Sequence, residues 1–134
     1  MKLNLIFLSV VLVMQYEWLG VNCGCENIDS LEAFKAKTQG GKAAVLVIKC
    51  VAEQNDEMQR DNTKEMEEQC GKHNKPCYQN DFGNAPIPET FKPLNFDVCP
   101  SFFLFKDGKE IKRVSHTLEP KTYEHIDSLC AYKV

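Results

Sequence analysis

Seven cysteines are the residues of this 134-residue chain best suited to chemistry: Cys23, Cys25, Cys50, Cys70, Cys77, Cys99 and Cys130. A thiol can attack as a thiolate, ligate a metal, or close a structural disulfide. Spacing narrows the choice. Only Cys23-Gly24-Cys25 forms a close pair, and His73, His116 and His125 are scattered, with no ligand-spaced cysteine pair beside them. A zinc site is therefore not expected, and no cofactor is implied. The chain also lacks a Gly-rich phosphate loop, a triad pattern and a nucleophile elbow.

The amino end bears on the compartment in which these cysteines work. Met1-Lys2 is positive, Leu3 to Met14 is almost wholly apolar, and Gln15 to Cys23 turns polar with small residues near its end. Those are the three regions of a secretory signal. The apolar stretch falls short of the roughly 20 residues that span a bilayer, so a retained anchor is the weaker alternative. Val21 and Cys23 at the -3 and -1 positions place cleavage before Gly24, giving a signal peptide over 1–23 and a mature domain over 24–134. The expected product is soluble, secreted and extracellular, with no stable membrane insertion. The net charge of -3 and pI near 5.6 give no basic stripe for nucleic acid.

Cleavage there leaves six cysteines, and an even number in an oxidising compartment implies up to three disulfides. The disulfide candidates are Cys25, Cys50, Cys70, Cys77, Cys99 and Cys130. Connectivity stays open, although Cys70 and Cys77, separated by a helix end and a turn, make the most natural local pair. An earlier cut near Gly20 would leave Cys23 with Cys25 as a compact dithiol, but it puts Trp18 where a small residue is wanted.

The elements that must position these side chains follow from periodicity. Ile28, Leu31 and Phe34 recur at helical spacing after Asp29-Ser30, which can cap, and before Gly40-Gly41, which ends the helix. Ala43 to Val51 is an unbroken run of small and β-branched residues, the signature of a strand covered on both faces. Asn55 to Gly71 is a polar helix with a thin apolar stripe of Met58, Met66 and Cys70. Cys77 to Asp81 is a weak strand candidate, and Pro88 to Leu94 has room for a turn of helix. Pro100 then opens the apolar strand Ser101 to Lys106, Asp107-Gly108 supplies the positive φ values of a type I′ turn, and Ile111 to Ser115 returns. Glu119-Pro120 starts a last helix with Tyr123, Ile126, Leu129 and Cys130 on its inner stripe. Helices alternating with strands imply an α/β layered domain.

The sequence Cys99-Pro100, apolar strand, Phe105-Lys106-Asp107-Gly108 resembles the second half of the thioredoxin fold. Val51-Ala52-Glu53 resembles the family's lead-in to its active site. The resemblance covers about Asn27 to Tyr132. It implies a thioredoxin-like fold, a central mixed sheet flanked by helices with a cis-Pro hairpin, and a dithiol beside Pro100. That dithiol is missing: the segment reads Gln54-Asn55-Asp56-Glu57-Met58, with Asn55 and Met58 at the cysteine positions. The buried aspartate that serves the dithiol in the family is matched by Lys49, expected to reach the surface or pair with a carboxylate such as Glu53. An amide and a thioether cannot form thiolates, and the helix end offers Asp56 and Glu57 instead.

Two function classes follow. The first is a redox-inactive thioredoxin-like domain that binds a protein or peptide partner in a groove lined by Gln54, Asn55, Asp56, Glu57, Met58, Val98, Cys99 and Pro100, with no catalytic residue. The second is a thiol-disulfide oxidoreductase using non-standard cysteines, Cys99 with a neighbour or Cys23 with Cys25. Two cysteine sulfurs within bonding reach of each other beside Pro100, open to solvent, would overturn the first.

Overall fold

The computed structural model describes residues 24–50, 57–115 and 122–133. The signal segment 1–23, the lead-in Val51-Ala52-Glu53, the rim residues Gln54, Asn55 and Asp56, and His116, Glu119 and Pro120 lie outside the described residues, as do the side chains of Met58 and Tyr123.

Ala43–Lys49 forms β2, the middle strand of a five-stranded mixed sheet. It runs parallel to β3 (Cys77–Asp81) and antiparallel to β4 (Ser101–Lys106). β5 (Lys109–Ser115) pairs with β4 on one edge, and a two-residue strand, β1 (Glu26–Asn27), pairs in parallel with β3 on the other. β1 is too short and too polar to leave a periodic signal in sequence, and β5 begins two residues before its expected start at Ile111.

Alternation along the strands sorts the core into two layers. Val45, Val47, Phe102 and Leu104 face α2 (Glu57–Lys72) and α3 (Thr122–Ala131), where Met66, Cys70, Ile126, Leu129 and Cys130 pack. Ala44, Leu46, Ile48, Phe103 and Phe105 face α1 (Leu31–Lys37) and a 3-10 helix over Glu89–Leu94, which contribute Leu31, Phe34, Phe91 and Leu94. With both faces covered, Ala44 to Ile48 are all buried, which is why β2 shows no polar alternation.

Local chemistry sets the element ends. Ser30 caps α1, its Oγ accepting from Ala33 N at 3.0 Å. In the β4–β5 turn Asp107 and Gly108 take φ values of 51° and 74°. Gly108 N donates to Thr38 Oγ1 at 2.8 Å, and Gly41 N donates to Asp107 Oδ1 at 2.6 Å, so the turn is tied to the end of α1. No helix among the described residues is long and apolar enough to cross a membrane.

The cysteines depart from the local pairing that sequence suggests. Cys77 is bonded to Cys25, not to Cys70. The β1–β3 register sets Glu26 opposite Tyr78, and one step back along both strands Cys25 meets Cys77, with their Cα atoms 4.6 Å apart. Cys70 is turned away on the buried face of α2. It and Cys130 are free thiols, so two disulfides are present among the described residues where the cysteine count allowed three.

Candidate functional site

The rim where the resemblance expects a dithiol carries a disulfide made by other means. β2 and β4 are antiparallel, with Ile48 opposite Ser101. The same register, carried two residues beyond that pair, sets Cys50 against Cys99, and these are bonded with Cα atoms 6.1 Å apart. Both Cα separations lie in the range that disulfides require. The bond ties the C-terminal end of the central strand to the residue before Pro100, across a cis Cys99–Pro100 peptide. Cys50 is buried at 8% exposure, whereas Cys99 is partly exposed. The sulfurs beside Pro100 are therefore bonded, but only one belongs to a residue with appreciable exposure.

The loop that leads to Pro100 is fixed from two sides. Ser101, itself buried, donates from Oγ to the Val98 carbonyl at 2.6 Å, closing a tight turn around Cys99 and Pro100. Upstream, Asn95 ends the 3-10 helix with φ 52°. There Arg113 Nη2 donates to Leu94 O at 2.8 Å and Nη1 to Asn95 O at 3.2 Å. The Arg113 guanidinium also lies over the Phe103 ring, 5.0 Å from its centroid, and pairs with Glu110. This hydrogen bonding to Glu110 holds its pKa above the ordinary arginine value, so it serves as a fixed cation that anchors backbone carbonyls.

Of the residues expected at the groove, the structure brings Val98, Cys99 and Pro100 together. Val98 is an exposed hydrophobe at 39%, and Pro100 is buried. Glu57 is exposed at the first turn of α2. Gln54, Asn55, Asp56 and the Met58 side chain lie outside the described residues. Lys49 pairs with Glu67 of α2 at 3.6 Å; Glu53, the partner considered from sequence, is not described. Sequence reading named Cys50 only as a disulfide candidate. The β2–β4 register is the signal that would have placed it at the rim.

A second grouping lies between α2 and α3. The Glu65 carboxyl is pushed above its ordinary value, first by burial and then by a hydrogen bond and charge repulsion from Asp127. Nearby, the Cys130 thiol is pushed far up by its hydrogen bond with Cys70 and by burial, which keeps it from acting as a nucleophile in the folded chain. Among the described residues no group of three or more His, Cys, Asp or Glu side chains is arranged to hold a metal ion. His73 and His125 are exposed.

Comparison with known proteins places the fold. No family model matches the chain, and no curated protein matches it. Among solved structures, the thioredoxin of Malassezia sympodialis (Mala s 13) is similar at TM-score 0.59 with 20% identity, over 81% of this chain and 93% of that one. Thioredoxin f from spinach chloroplast matches at TM-score 0.57 with 16% identity, over 79% and 93%. Thioredoxin O2 from Arabidopsis thaliana in the oxidised state matches at 0.55 with 16% identity, over 70% and 84%. The fold is thioredoxin-like.

Proposed function

We propose that this thioredoxin-like domain is exported and works by recognition, holding an extended segment of a protein or peptide partner against the rim beside Pro100, without turning over dithiols. The observation that carries the reading is the Cys50–Cys99 bond. A redox dithiol in this fold depends on a helix N-terminus, whose free amides and dipole favour the thiolate. Here one sulfur follows β2 and the other precedes β4. With asparagine and methionine at positions 55 and 58, the helix end carries no thiol. The bond crosslinks the loop that presents Val98, and a fixed edge with an exposed hydrophobe suits strand addition by an extended chain. The two disulfides and the leader at 1–23 both support export.

One observation favours the second reading. Cys99 is partly exposed while Cys50 is buried, so an incoming thiolate has one sulfur to attack: it would bond to Cys99 and expel Cys50 as the leaving thiolate. Selection from a displayed peptide library on the mature domain separates the readings. Recognition at the rim predicts extended binders that lose at least about tenfold in affinity, roughly 1.4 kcal/mol, with V98E. A domain that selects no peptide, or whose binders ignore V98E, overturns it.

A further inference from the structure

Three sulfur atoms meet in the layer between α2 and α3. Cys70 Sγ lies 3.5 Å from Met66 Sδ, and Cys130 Sγ lies 3.3 Å from the same atom. All three residues are buried, at 0% to 1% exposure. Met66 and Cys70 stand one turn apart on α2, and Cys130 approaches from α3, its thiol also reaching the Met66 carbonyl at 3.7 Å. Cys70 and Cys130 are thus neighbours facing each other across a helix interface, 60 positions apart in sequence.

We propose that Cys70 and Cys130 are the site of a third disulfide, joining α2 to α3 in the exported protein. The other four cysteines of the mature chain are already paired as Cys25–Cys77 and Cys50–Cys99, so the compartment that oxidises them meets these two as well. Each sulfur touches Met66 Sδ, so the two thiols lie within about 7 Å of each other, and the bond forms if the side chains turn toward each other instead of toward the thioether.

The oxidant is a small-molecule or protein disulfide. The Cys70 thiolate attacks it, forming a mixed disulfide and releasing one thiolate. The Cys130 thiolate then attacks the Cys70 sulfur and releases the second. Two electrons pass to the oxidant, and the two protons lost by the cysteines end on its thiols. Because both residues are buried in the native interface, out of reach of an oxidant, the bond is made before α3 docks. A chain that folds reduced keeps the pair sealed as thiols. The state of this pair therefore records the redox conditions under which the chain folded.

Peptide mapping of the full chain, secreted from a eukaryotic host and digested without reduction after alkylation in denaturant, tests this. The expected result is a linked Cys70–Cys130 peptide, with alkylation at both residues nearly abolished. Cytosolically expressed chain, refolded in a glutathione and glutathione disulfide buffer, should give the same bond. The same chain refolded with reductant and diluted into that buffer only afterwards should acquire it much more slowly. Recovery of both cysteines alkylated from the secreted chain, or of either one bonded elsewhere, overturns the proposal.

Discussion

Removing the rim disulfide with the double variant C50A/C99A should cost about 4 kcal/mol of folding stability. The bond spans a sequence separation of 49 residues, and the chain-entropy model for closing a loop of that length gives a figure of this size at 25 °C. Alanine is chosen because Cys50 is buried, where a serine hydroxyl would add its own desolvation cost. Against the 5–15 kcal/mol typical of a folded domain, that loss is large without being unfolding in itself. Urea titration followed by far-UV circular dichroism reads it by linear extrapolation. The unfolded variant, freed of one crosslink, should also show a higher m-value than the parent. A stability loss under about 1 kcal/mol with an unchanged m-value would refute the reasoning, since the bond would then restrain neither the unfolded chain nor the loop before Pro100.

Three further outcomes follow. R113A removes the donors to the Leu94 and Asn95 carbonyls; because the side chain is part-exposed the cost should be about 1–2 kcal/mol, with faster amide exchange confined to the segment before Pro100. G108A adds a Cβ about 3.0 Å from Gln39 Nε2 at a φ of 74°, and thermal melts should show about 1–2 kcal/mol of destabilisation. Glu65 is held above its ordinary value of 4.5, so the native state binds that proton more tightly than the unfolded chain does. Its cost to stability is absent below the unfolded pKa and grows as pH rises through the folded one. E65Q should therefore be more stable than the parent at neutral pH, and the gap should close near about pH 4 in melts across that range.

Much of the fold was legible because it rests on patterns that neighbouring residues carry. The unbroken run from Ala43, the Asp107-Gly108 turn and the stripe Ile126, Leu129, Cys130 each report their own surroundings, and each element is present, although β2 ends at Lys49 and not at the expected Val51. Disulfide partners are different, because pairing depends on strand register. Cys70 and Cys77 are close in sequence, yet Cys77 is set opposite Cys25 by two residues of β1, a strand with no sequence signal. Cys50 meets Cys99 only once the β2–β4 ladder is counted out. The same ladder explains how a bond can stand beside Pro100 in a sequence with no Cys-x-x-Cys spacing. Arg113 was also invisible as an anchor, because its partners are backbone carbonyls that a sequence does not display.

The central claim, that the rim recognises and does not exchange, is tested most directly by the rate of insulin disulfide reduction in dithiothreitol with the mature domain added. The account predicts the uncatalysed rate, the same with the parent and with C99A. An acceleration by the parent that C99A abolishes would contradict it and establish Cys99 as the exchanging sulfur.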